Sequence, residues 1–242
     1  MAIQEKIIDY DCNGATHQAF MSWDDAAATP RPGVLVAHAW GGRSEFEEEK
    51  ARALAAQGYV GFALDMYGKG IRGTTTEENT ALMTPLVEDR AELQQRMIRA
   101  LEVMCVQEEV DEGSCAAIGY CFGGLCALDL ARVGSDVRGV VSIHGLFMPP
   151  GNTADTPISA SVLCLHGYDD PMAEPQSVLD LATELSAAGA DWQVHAYGGT
   201  QHAFTNPQAN NPDMGTVYSP RADRRATLAV GNFLAELFPA KA

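Results

Sequence analysis

Ala116-Ala117-Ile118-Gly119-Tyr120-Cys121-Phe122-Gly123-Gly124-Leu125 reads as a short apolar strand, a turn of small residues around one cysteine, and the start of a helix. G-x-C-x-G between strand and helix is the nucleophile-elbow pattern with cysteine in the serine position. Glycines two before and two after Cys121 let the chain turn sharply and hold the thiol in a strained, exposed conformation. The helix beginning at Phe122 aims its unpaired amides and positive dipole end at Cys121, which favours a thiolate. The same geometry suits an oxyanion hole. Phe122 N–H is one expected donor, and the loop His38-Ala39-Trp40-Gly41-Gly42 offers another from Ala39 or Trp40. A glycine turn for phosphate with an inert Cys121 is the competing reading, but G-x-G-x-x-G is absent here and no P-loop occurs.

Outward from the elbow, short apolar runs alternate with helix-period runs. Val34 to Ala37, Val60 to Leu64, Cys115 to Gly119, Gly139 to Ile143, Val162 to Leu165 and Trp192 to Ala196 are short enough to be buried strands. Helical spacing covers Glu45 to Gln57, Leu86 to Val106, Leu125 to Val133, Pro175 to Ala188 and Arg221 to Leu237. This alternation predicts an α/β fold with a mainly parallel central sheet and helices on both faces. Alternating segments at Ile3 to Tyr10 and His17 to Trp23 flank Asn13-Gly14 and predict an N-terminal antiparallel hairpin, followed by a Pro-rich link from Thr29 to Gly33. Tyr67 to Thr84, with three glycines and three consecutive threonines, reads as a loop over a site. The 242 residues, 46% of them hydrophobic, suffice for one domain over 1–242 and leave no room for a large lid domain.

Sixteen basic against 32 acidic side chains give a formal charge of −16, which repels phosphate backbones and anionic lipid, so neither nucleic acid nor membrane is an expected partner. No apolar run of about 18 residues occurs. The opening Met1-Ala2-Ile3-Gln4-Glu5-Lys6 lacks a signal-peptide core, so a cytoplasmic location is expected. Six cysteines without CxxC or Cys/His spacing suggest neither a disulfide framework nor a metal site, and Cys115, Cys126 and Cys164 read as packing thiols.

A cysteine nucleophile needs a base and a third group that fixes the base's tautomer, in the chain order nucleophile, acid, histidine. After the apolar run Val162 to Leu165 comes His166-Gly167-Tyr168-Asp169-Asp170-Pro171, with two candidate carboxylates. Either could orient the base; Pro171 biases Asp170 toward an extended conformation and favours it. His202 alone among six histidines follows both the last strand and the acid loop, and is the expected base. His38, His144 and His166 also fall at strand ends. His38, Tyr67, His144 and Phe204 are candidate pocket residues, together with Trp40, Lys69 and Arg72, while His166 reads as structural.

These residues resemble the dienelactone hydrolase family of the α/β-hydrolase fold. The resemblance rests on Gly58-Tyr59, Asp65-Met66-Tyr67-Gly68, Gly119-Tyr120-Cys121-Phe122-Gly123-Gly124, Gly167-Tyr168-Asp169-Asp170 and His202-Ala203-Phe204, and covers nearly the whole chain. It implies a Cys121, Asp170, His202 triad in a hydrolase without metal or organic cofactor, acting on small esters or lactones through a thioester. Family members acting on dienelactones carry Glu in the loop after the first core strand, where this chain has His38, and Arg after the H-x-F segment, where it has Asn206. Without that Arg an anionic dienelactone loses a recognition element, which favours a neutral ester or lactone. Phosphotriester hydrolysis is an expected secondary activity. The rival class is a non-catalytic small-molecule binding protein of the same fold. A homodimer is compatible with the sequence, which carries no signal for or against it.

Overall fold

The computed structural model describes residues 2–26 and 30–239. Strands β1 (Ile3–Cys12) and β2 (Ala15–Asp24) form the expected hairpin around Asn13-Gly14. The central strands are β3 (Arg31–Ala37), β4 (Val60–Ala63), β5 (Val110–Tyr120), β6 (Gly139–Ile143), β7 (Ser161–Gly167) and β8 (Trp192–Tyr197). They lie in the order β1-β2-β4-β3-β5-β6-β7-β8. The β1/β2 and β2/β4 pairs are antiparallel and every other pair is parallel. All six proposed core strands are present. The link expected up to Gly33 is shorter: β3 begins at Arg31, whose N–H donates to Glu109 O, and the β3/β5 register shifts between Pro32 and Gly33, where proline has no N–H to give. Thr29 of that link lies outside the described residues.

Successive strand residues point to opposite faces, and here both faces are covered. Val34, Val36, Ile118, Val141 and Leu163 pack under helices α1 (Glu45–Ala56) and α6 (Pro220–Leu237). Leu35, Ala117, Val140 and Val162 pack on the other side under α3 (Arg90–Cys105), α4 (Phe122–Arg132) and α5 (Pro175–Ala187). Among the described residues no helix is long and apolar enough to cross a membrane.

One helical expectation is corrected. The helix expected from Leu86 to Val106 is two helices, and part of the stretch expected as a loop is helical: α2 spans Thr76–Glu88 and α3 begins at Arg90. Thr75 and Glu78 form a reciprocal capping box at the start of α2, so the three threonines mark a helix entrance as well as a turn. Asp89 then leaves helical geometry at φ −109° and ψ 82°, and its side chain accepts the Glu92 N–H at 3.1 Å to cap α3.

Helices α3, α4 and α5 are tied by a buried ionic network. Arg90 grips Asp129 in bidentate fashion, with Nε and Nη2 at 2.8 and 2.6 Å from its two oxygens. Arg132 reaches Asp129 at 3.2 Å and Glu184 at 2.7 Å, and donates to the Phe147 and Met148 carbonyls. Asp129 is 0% and Arg90 8% exposed, so removing the shared carboxylate leaves the Arg90 guanidinium buried without its partner and takes one of the two carboxylates from Arg132. Asp129→Ala is expected to destabilise the fold by about 3–5 kcal/mol, read as a lowered urea midpoint with an unchanged slope; an unshifted midpoint would show that the network contributes nothing.

Candidate active site

At the end of β5 the chain meets a steric restriction before it meets any chemistry. A Cβ on Gly119 would run into the Gly123 carbonyl, and one on Gly123 into the Ala37 carbonyl. Only glycine allows β5, α4 and the end of β3 to come so close. The turn places Cys121 at φ 56° and ψ −116°, a conformation that a residue with a side chain rarely adopts. Cys121 stands at the head of α4, where the backbone N–H groups of Phe122 and Trp40 both favour its thiolate. Ala39 N–H turns away toward Glu47 Oε1 at 3.5 Å. Of the amides considered for an oxyanion, Phe122 and Trp40 therefore share the thiol's side.

The loop after β7 carries Asp170, 2% exposed, while Asp169 faces solvent. Asp170 Oδ2 lies 2.7 Å from His202 Nδ1, and Oδ1 accepts Met172 N–H at 2.8 Å. The carboxylate accepts the Nδ1 proton and leaves Nε2 for the site. His202 Nε2 makes no ordinary hydrogen bond, and the sulfur of Cys121 is the group it faces. A two-strand ribbon not foreseen in the sequence, β9 (Asn210–Asn211) with β10 (Thr216–Val217), clamps this loop. His202 N–H donates to Gly215 O at 2.8 Å and its carbonyl accepts Val217 N–H at 3.1 Å.

Burial is the largest single influence on the Cys121 thiol and pushes its pKa up. The His202 charge, contact with that ring, and the Phe122 and Trp40 amides together outweigh it, and the net shift is down. For His202, burial is again largest and pulls down. The Cys121 charge, the Asp170 hydrogen bond, contact with Cys121 and the Asp170 charge raise it to about 10. The two shifts have one cause in common, since Cys121 and His202 each favour the charged form of the other.

His144 and His38 are neutral for a different reason, since each ring accepts at one nitrogen and donates at the other. His144 Nδ1 accepts Cys121 N–H at 3.1 Å, and its Nε2–H donates to Thr205 Oγ1 at 2.8 Å. His38 Nε2 accepts Met66 N–H at 3.0 Å and its Nδ1–H donates to Ala39 O at 2.6 Å, which joins the loops after β3 and β4. Burial holds both below the ordinary imidazole value.

Residues 18–238 match the dienelactone hydrolase family. The chain belongs to that family. A structure designated m3DLH superposes with a TM-score of 0.93 at 32% identity, covering 98% of this chain and 100% of that one. The structure of a dienelactone hydrolase-like promiscuous phosphotriesterase from metagenomic libraries superposes with a TM-score of 0.91 at 32% identity, covering 98% and 99%. A protein of Aquifex aeolicus, provisionally described as a carboxymethylenebutenolidase, is 27% identical over 237 residues, 94% of this chain and 97% of its own length.

In this member of the dienelactone hydrolase family a cavity of about 310 Å³ opens over Cys121 and His202. Trp40, Arg72 and His144 line it as expected from the sequence, and Asn206 stands on its wall. The other candidate pocket residues lie behind or away from it. His38 and Phe204 are 0% exposed inside the fold, Tyr67 hydrogen-bonds Trp40 O at 2.9 Å, and Lys69 pairs with Asp9 at the N-terminal hairpin. Phe46, Met83, Leu146, Met172 and Met214 were not singled out from the sequence, although they supply much of the apolar wall. They come from α1, α2 and three separate loops, and no local pattern marks them as neighbours. Glu47 was also missed: its Ser44-x-x-Glu47 spacing signals a capping box, which it forms, but the same buried carboxylate lines the cavity.

The pair sets a pH expectation. A thiol with a depressed pKa is nucleophilic below the ordinary thiol range, so alkylation of Cys121 by iodoacetamide should rise with pH through a midpoint below that range. In His202→Ala the lowering contributions of the imidazolium vanish while burial remains, so the midpoint should move up. A midpoint unaffected by His202→Ala would contradict the pair.

Proposed function

We propose that this chain is a cysteine-dependent hydrolase of small neutral esters or lactones, with Cys121 as nucleophile, His202 as acid and base, and Asp170 as the group that orients His202. The observation that carries the reading is the strained Cys121 at a helix N-terminus, facing an imidazole whose other nitrogen is held at 2.7 Å by a buried carboxylate. His144 also touches the nucleophile's residue, but both its ring nitrogens are engaged and burial keeps it neutral, so it has neither a free lone pair nor a proton to offer.

The Cys121 thiolate attacks the substrate carbonyl carbon, and the charge that leaves sulfur gathers on the carbonyl oxygen. Phe122 and Trp40 N–H, which face the thiolate at rest, are positioned to follow that charge onto the oxyanion. As the tetrahedral intermediate collapses, the C–O bond breaks, the alkoxide takes the Nε2 proton of His202, and an acyl thioester remains on Cys121. Neutral His202 then removes a proton from water, hydroxide adds to the thioester, and collapse releases the carboxylic acid and restores the thiolate beside imidazolium. Asp170 holds the ring through both steps and stabilises its charged form.

The cavity supports a neutral substrate. Its walls are mostly apolar, Asn206 stands where dienelactone-type enzymes carry Arg, and its charged members, Arg72 and Glu47, are opposite in sign. A secondary phosphotriesterase activity is favoured by one specific observation, the likeness at 32% identity to a protein described as a promiscuous phosphotriesterase. The same thiolate would attack phosphorus there and the same amides would face the phosphoryl oxygen.

Cys121→Ala is expected to lower kcat for aryl ester hydrolysis by about 10⁴-fold or more without unfolding the protein. An aryl phosphotriester assayed alongside should lose turnover in parallel, and chelators should leave both rates unchanged. Full esterase activity in Cys121→Ala would overturn the assignment. Tight ligand binding without turnover of any ester would instead support a binding protein.

A further inference from the structure

Four non-glycine residues in the described chain have a left-handed backbone: one is His144 itself, one is Cys121, whose N–H its ring accepts, and one is Ala203, in the turn its ring also bonds through Thr205. Asn13 is the fourth and belongs to the hairpin turn. Cys121 has φ 56°, His144 φ 40° and Ala203 φ 55°. Such conformations persist where surrounding contacts over-determine them. Here the contacts converge on His144, which is 3% exposed. Its Nδ1 shares the Cys121 N–H with Ile143 O, at 3.1 and 3.0 Å. On the other side its Nε2–H donates to Thr205 Oγ1 at 2.8 Å, in the turn that begins directly after His202. The ring also stands edge-on to His202 and Phe204, with centroids 5.2 and 5.1 Å away.

We propose that His144 is a positioning residue that spans from the backbone of Cys121 to the turn after His202 and thereby sets the separation of nucleophile and base. This rests on the reading of Cys121 and His202 as that pair. The two catalytic groups arrive from distant parts of the chain, one on a strand-to-helix corner and the other on the loop after β8. No hydrogen bond of ordinary geometry joins their side chains, so their spacing is set by the supports that carry them. His144 is bonded to both supports at once. Its neutrality is part of the role, because a second cation beside His202 would oppose the imidazolium. The charged and titratable groups around the ring are Cys121, His202, Tyr120 with its ring centre 6.0 Å away, and the more distant Lys50 of α1. Thr205 is the residue that makes the bridge double-ended. Three positions after His202, it was not singled out in the sequence, where a threonine in a turn carries no signal of its partner.

The test is His144→Phe, which keeps an aromatic ring and removes both nitrogens. Two readouts are needed: the pH profile of Cys121 alkylation by iodoacetamide, and the separate effects on kcat and KM for an aryl ester. If His144 sets the spacing, the alkylation midpoint rises because the thiolate loses its closely held imidazolium, and kcat falls by roughly 10²-fold with little change in KM. Thr205→Val should move both readouts in the same direction by less, and Thr205→Ser, which keeps the hydroxyl, should restore them. A folded His144→Phe protein with the parental midpoint and kcat would overturn the proposal. If that variant does not fold, parental values in Thr205→Val would overturn it equally. Alkylation reports on Cys121 whether or not it is the nucleophile. Failure of the nucleophile reading would appear separately, as full activity in Cys121→Ala.

Discussion

Helix α4 meets strand β5 at Gly119 and the end of β3 at Gly123 so closely that neither glycine has space for a side-chain carbon, and the site is built on that contact. The same closeness forces the left-handed turn at Cys121 and presents the amides of Phe122 and Trp40 to its sulfur. It also brings α4 down onto the ends of β3 and β6, from which the Trp40 loop and the His144 corner emerge. The elbow is thus a steric solution first, and its chemistry follows from where the steric solution points the thiol.

Electrostatically the site resolves a conflict. A thiol taken out of water resists ionisation and an imidazole taken out of water resists protonation, and burial is the largest influence on each. Together they reverse that preference, because each supplies the charge the other lacks, with Asp170 anchoring the far side of the ring. The neighbouring histidines contribute through their hydrogen bonds: His38 fastens the loop after β3 to the loop after β4, and His144 fastens the elbow to the His202 turn. Burial thus disfavours a charge on the neighbouring imidazoles, while Cys121 and Asp170 favour one on His202.

What could be read from the sequence was what is local or ordered along the chain. The elbow is a contiguous pattern, and the six core strands are short apolar runs with clear boundaries. Asp170 and His202 follow Cys121 in the order that the parallel sheet imposes. Helix α2 escaped notice because Gly68, Gly70, Gly73 and the threonines dominate its approach, although the Thr75-x-x-Glu78 capping box was there to be read. The cavity walls were harder. Met83, Met172 and Met214 come together only through the packing of α2, the acid loop and the β9–β10 ribbon, whereas Tyr67 and Phe204, adjacent to conspicuous motifs, face inward. Proximity in sequence to a motif brought out residues that the fold gathers at Cys121 but identified the pocket poorly, because pocket walls are long-range contacts between segments with no shared local signature.

The most direct measurement is to quench a mixture of the protein and an excess of an activated aryl ester during the first turnover, digest it, and map the acyl group by mass spectrometry. The account predicts an acyl thioester on the peptide containing Cys121, present during turnover and gone once substrate is exhausted. Turnover with Cys121 unmodified, or with the acyl group carried on another residue, would contradict it.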